Sequence, residues 1–132
     1  MNSAQSDSFI LDHLPPPEQW PQLNYDFPQS AQYSVLDPQL NLVNELMSKA
    51  AMNGLSDRPL LRSPRITLTY ADVNDRINRI AQVLTEDYGL IPGNRVLLRG
   101  GNSVGMALAW LAVVKAGLIA VATMPLLRAS EL

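Results

Sequence analysis

Cysteine is absent from this 132-residue chain, and histidine occurs once, at His13. Without thiols there is no disulfide framework and no thiolate metal centre, and one imidazole excludes the usual His-rich zinc site. His13 sits among prolines, which also removes a Ser-His-Asp or Cys-His hydrolase. Positive charge is in short supply: ten Lys plus Arg face 12 Asp plus Glu, for a net charge of −2 and a pI near 5.2. Nucleic acid therefore has no basic footprint to bind. The opening residues, MNSAQSDSFILDHL, lack the basic and apolar regions of a signal peptide, so a cytoplasmic protein is expected. The length suits one small domain or a part of a larger one.

The charges that are present are unevenly placed. From Met1 to Ser48 there are six acids and no Lys or Arg, whereas residues 49–132 carry ten basic residues and six acidic ones. An acidic leader lying on a mildly basic body and a solvated tail both fit this pattern. Prolines 15, 16, 17 and 21 fix φ and remove donors, so residues 1–39 are expected to form an extended leader without helix or central strand. Trp20, Leu23, Tyr25 and Phe27 are interleaved with the prolines as candidate anchors, a better reading than a polyproline segment for an SH3-like partner.

Residues 40–132 read as a small α/β body. Leu42, Val43, Leu46, Met47 and Ala50 share one face of a helix over Leu40–Met52 that Asn53-Gly54 closes. Pro59–Arg62 and Ile66–Thr69 flank Ser63-Pro64 as a β-hairpin. Thr69 and Asp72 have the spacing of a capping box, and Val73, Ile77, Ile80, Ala81, Leu84 and Tyr88 then repeat at helical spacing up to Gly89. Asn94–Arg99 is a short strand, Val104–Ala116 an almost wholly apolar helix, and Leu118–Met124 a second strand. Strand, crossover helix and strand predict a right-handed βαβ unit with a parallel pair. Ser130 and Glu131 resemble the start of another helix.

Val104–Leu127 is long enough to span a bilayer, and its only charge is Lys115. That charge falls near the middle, where insertion costs about 2.5–3.5 kcal/mol. Gly117 behind it has the look of a helix terminator, so the stretch divides into a buried helix and a buried strand.

The glycines between the strand and the apolar helix, GGNSVG, stand where backbone N–H groups can hold a phosphate. Their spacing is not G-x-G-x-x-G, and Met106 occupies the position of a P-loop lysine; a tight turn capped by Asn102 or Ser103 explains them without a ligand. Asp72/Asp75 and Glu86/Asp87 read as solvated helix charges. Arg128 lies beyond the second strand, on the edge where open α/β sheets bind ligands, although surface charge also accounts for it.

The blocks LPPPEQWP, LTYADVNDRINRIAQVL, GLIPGNRVLLRGGNS and WLAVVKAGLIAVATMPLLRASEL, in this order, resemble the N-terminus of AMP-forming acyl-CoA synthetases, the adenylate-forming ligases. The likeness runs from about Leu14 and is greatest to benzoate–CoA and 2-aminobenzoate–CoA ligases. It implies a partial N-terminal subdomain: leader 1–39, then an incomplete α/β body 40–132 with a hairpin and a parallel βαβ unit. The family's reaction uses ATP, Mg2+ and CoA. A carboxylate attacks ATP to give an acyl-adenylate and pyrophosphate, and the CoA thiol displaces AMP.

The family's phosphate loop, ribose-binding Asp and catalytic Lys have no counterpart here, and Lys49 and Lys115 match helix positions only. The resemblance thus implies a piece without catalytic residues or bound cofactor of its own, whose partner is the rest of a ligase chain. Arg128 is the one candidate ligand residue, for a CoA phosphate or an interdomain carboxylate. A self-standing nucleotide- or CoA-binding module is the alternative, and a membrane-attached protein using 104–127 the third reading. With Val96, Leu98, Leu111, Val114, Ile119 and Val121 short of partners, a homo-oligomer is expected; roughly 400 Å² of such surface is worth about 10 kcal/mol of burial.

Overall fold

The computed structural model describes residues 6–22, 40–128 and 130. It divides into two units, Ser8–Leu40 and the remainder. In the larger unit the elements follow the order α2 (Leu42–Met52), β1 (Pro59–Arg62), β2 (Thr67–Thr69), α3 (Tyr70–Gln82), β3 (Arg95–Arg99), α4 (Val104–Lys115) and β4 (Ile119–Thr123).

Local chemistry sets most of these boundaries. Thr69 Oγ1 accepts from the Asp72 amide at 3.1 Å while the Asp72 carboxylate accepts from the Thr69 amide at 2.9 Å, the reciprocal capping box that starts α3. Ser63 turns the hairpin, its hydroxyl accepting from the Arg65 and Ile66 amides and its own amide donating to the Ile66 carbonyl. Helix α3 does not run unbroken to Tyr88: it gives way to a π turn over Val83–Asp87, closed by the Tyr88 amide on the Val83 carbonyl. Ser103 starts α4 by accepting from the Met106 amide. Gly117, at φ +74°, makes the sharp turn from α4 into β4.

The two strand pairs form separate sheets. β1 and β2 are antiparallel, and β3 and β4 are parallel with Arg95 opposite Ile119 and Arg99 opposite Thr123. Helices α2, α3 and α4 pack on one another over the hairpin, enclosing Val43, Met47, Leu68, Val73, Ile77, Leu108 and Ala112. Each fully buried Val or Ile there contributes about 1.5–3 kcal/mol of transfer free energy.

One side chain joins two helix ends. Asn41 accepts from the Val43 and Asn44 amides, capping the start of α2, and its Nδ2 donates to the Val114 and Lys115 carbonyls at 3.0 and 3.1 Å, capping the end of α4.

The expected shortage of partners in the βαβ unit falls only in part on the residues the sequence suggested. Side chains alternate along β3, so Val96 and Leu98 are half-buried, whereas Leu97 is 57% exposed. On β4, Val121 opposite Leu97 and Ile119 opposite Arg95 are exposed as expected, and Leu111 and Val114 are half-buried. Among the described residues no helix is long and apolar enough to cross a membrane.

In the smaller unit Phe9–Asp12 forms a short helix, α1, and Pro17–Gln19 a 3-10 turn. This corrects the expectation of a leader without helix: α1 precedes the prolines, and Pro17 stands at the first position of its turn, where a missing N–H costs nothing. Trp20 is half exposed, and its indole N–H donates to the Pro15 carbonyl. The other anchors, Leu23, Tyr25 and Phe27, lie outside the described residues, as does Glu131.

Candidate functional site

The carboxyl edge of the parallel pair is where the sequence placed its ligand candidates, and the geometry there is specific. Leu98, Arg99, Gly100, Gly101, Ser103 and Met106 border an open groove of about 410 Å³ between the end of β3 and the start of α4. The groove's glycine turn is closed from within. Ser103 Oγ is held by the Met106 amide, and the Met106 methyl lies so near Gly100 that an added Cβ would stand 2.7 Å from it. That methyl is the far end of a flexible side chain and can move aside, so packing alone does not demand glycine at position 100.

Arg128 is exposed, at the end of the segment that leaves β4. No spacing or motif marks in advance the residue that holds this segment. The Arg99 guanidinium reaches across to the Pro125 and Leu127 carbonyls, tying residues 125–127 to the end of β3. Beside it the Thr123 hydroxyl is enclosed without a protein partner. Arg99 and Thr123 thus stand opposite each other at the carboxyl end of the parallel pair.

The carboxylates serve structure elsewhere. Backbone and side-chain hydrogen bonds from Thr69 hold the Asp72 carboxyl below its ordinary 3.8. Asp75 pairs with Arg79 at 2.9 Å, and Glu86 accepts from Gln82. Lys49 pairs with Glu45 at 3.1 Å. Lys115 donates to the amide oxygens of Asn44 and Asn74 at 2.9 and 3.4 Å, and partial burial lowers its pKa from 10.5. His13 lies against Phe9, its Nδ1 2.7 Å from the Phe9 carbonyl.

Mg2+ asks for a set of oxygen ligands. Among the described residues no three of His, Cys, Asp or Glu lie close enough together to hold a metal ion.

A family model described as AMP-binding enzyme matches residues 48–132. The salicyl-AMP ligase / salicyl-S-ArCP synthetase of Mycobacterium tuberculosis (strain ATCC 25618 / H37Rv) is 42% identical over 65 residues, which are 49% of this chain and 11% of that protein. Two solved structures, the N-terminal subdomain of Klebsiella oxytoca NpsA and a benzoate CoA ligase from Burkholderia xenovorans LB400, superpose with TM-scores of 0.60 at 22% identity. Each covers 67% of this chain, which spans 23% and 17% of theirs. Likeness at this identity shows the fold, and the fold is the mixed hairpin and parallel unit described above. The chain belongs to the AMP-binding enzyme family and carries an N-terminal portion of the adenylate-forming ligase fold.

Proposed function

We propose that the chain is the N-terminal portion of an ATP-dependent, AMP-forming aromatic acid–CoA ligase, converting a carboxylate, ATP and CoA to acyl-CoA, AMP and pyrophosphate. The match of residues 48–132 to the AMP-binding family carries this reading. The salicyl and benzoate groups in two relatives' names support an aromatic acid. The chain works with the rest of a ligase polypeptide, in the cytoplasm. ATP, Mg2+ and CoA are held by that remainder. Alone it is inert, because acyl and adenylyl transfer need aimed charge at the reacting phosphate, and both lysines are engaged elsewhere, Lys49 with Glu45 and Lys115 with Asn44 and Asn74.

The test is a chimera in which this chain replaces the matching N-terminal segment of the benzoate CoA ligase, assayed for pyrophosphate release with benzoate, 2-aminobenzoate and salicylate. Release with an aromatic acid supports the reading. A folded chimera that releases none with any of the three contradicts it, and release by the chain alone contradicts its inertness. ATP or CoA bound by the isolated chain would favour a self-standing binding module instead.

The name salicyl-S-ArCP synthetase favours a second reading of the acceptor, with ArCP in place of CoA. Thioester formed on one acceptor and not the other decides between them. Within the CoA reading, Arg128 meets a CoA phosphate or an interdomain carboxylate. Arg128→Ala in the chimera then raises the KM for CoA or lowers turnover; unchanged constants make the residue ordinary surface.

A further inference from the structure

The turn before β3, at the end of the parallel pair away from the groove, is built around the N-terminal segment. Its Pro92 carbonyl accepts from the Ser6 hydroxyl at 3.2 Å and from the Asp7 amide at 2.8 Å. The Asp7 carboxylate accepts from Asn94 Nδ2 at 2.8 Å and pairs with the Arg95 guanidinium. Gly93, at φ +89°, completes the fit: an added Cβ would stand 2.5 Å from the Asp7 carbonyl oxygen, a main-chain atom that no rotamer change moves aside. One carboxylate is thus received by a carboxamide, a guanidinium and a close backbone approach.

The same turn is tied to the parallel pair. Asn94, which holds the Asp7 carboxylate, accepts on Oδ1 from the Ile91 amide and on its own carbonyl from the Ile119 amide at 2.8 Å, where β4 begins. Gly93 donates its amide to the Gly117 carbonyl at the corner between α4 and β4. Ser6 and Asp7 are polar, and neither they nor residues 91–95 belong to the enclosed cluster of the helices and hairpin. Polar contacts of this kind exchange for contacts with water at modest net cost, whereas opening the cluster would expose apolar surface.

We propose that Asp7 is a releasable latch. When its carboxylate leaves the seat of Asn94 and Arg95, residues 6 and 7 lift off the turn in one step, the corner at Gly117 and the amino ends of β3 and β4 loosen, and the helical core stays folded. Asp7 is therefore a positioning residue, acting on the start of the parallel pair through Asn94. The Asp7 side chain is 17% exposed and that of Arg95 36%, so dissolved salt reaches the pair and weakens it. The device is independent of which acid or acceptor a ligase would use.

The chain has no cysteine, so a single nitroxide on Ser8→Cys reports on the full 132-residue protein. With the latch closed, the label should broaden the amide signals of residues 93–95 in a nuclear magnetic resonance spectrum. Asp7→Ala should remove that broadening and speed exchange of the Gly93 and Ile119 amides by about tenfold, while amides from Val73 to Ile80 keep their protection. Asp7→Asn keeps an acceptor for Asn94 Nδ2 but loses the ion pair, so it should fall between wild type and Ala, and added salt should move the wild type in the same direction. Absence of broadening with Asp7 in place, or broadening that survives Asp7→Ala, overturns the latch. Loss of protection from Val73 to Ile80 in Asp7→Ala overturns its release from a folded core, and unchanged exchange at Gly93 and Ile119 overturns its hold on the corner.

Discussion

The helical half and the sheet half of the larger unit solve the same packing problem to different degrees. Val43, Val73 and Ile77, on α2 and α3, are fully buried in a core that the hairpin and α4 complete. Among the described elements α4 covers one face of β3 and β4, and Leu97 on the other face is 57% exposed. Parallel pairs ordinarily lie between two layers, so the sheet half is the part whose energy depends on what else binds.

Substitutions separate the halves. Ile77→Ala should cost about 2–5 kcal/mol, the range for emptying a closed core site, seen as a lower urea midpoint with an unchanged slope. A loss under about 1 kcal/mol would mean that the helical core is loosely packed. Asn41→Ala removes both helix caps and should cost about 1–2 kcal/mol. Asn41→Asp keeps the acceptor for α2 but loses the donor to α4, so it should fall between wild type and Ala. Equal stability of Asp and wild type would mean that the bond to α4 contributes nothing.

Thr69→Ala should cost about 1 kcal/mol and carry a pH signature. The Asp72 pKa is lowered on folding, so its contribution is full above the unfolded value of 3.8 and is lost as pH falls through the folded value. Wild type should therefore lose part of its advantage over the variant in acid, and a pH-independent difference would show that the carboxylate is not part of the cap. The smallest effect is Arg79→Ala, whose exposed pair with Asp75 is worth about 0.3–0.5 kcal/mol.

What was legible in the sequence was local. Thr69 and Asp72 are three residues apart, and the helical spacing from Val73 to Ile80 needs no distant partner to be read. The parallel pair followed from strand, helix and strand in succession. The exposed face did not: Val96, Leu97 and Leu98 are all apolar, so alternation leaves two registers open until α4 selects one. The Asn41 bridge to α4, the Arg99 clamp on residues 125–127 and the Asp7–Arg95 pair join positions 26 to 88 residues apart. No single-sequence spacing rule reaches that far. Arg128 was visible as a cation past a strand end, whereas Arg99, which holds its segment, reads from sequence as an ordinary strand terminus.

Amide hydrogen exchange at low micromolar concentration tests the contrast between the halves most directly. Amides from Val73 to Ile80 should exchange only through global unfolding, at the full unfolding free energy, and those of β3 and β4 should exchange through smaller openings with visibly lower protection. Equal protection in both halves would contradict the account, because it would mean that the parallel pair is as closed as the helical core without any second layer.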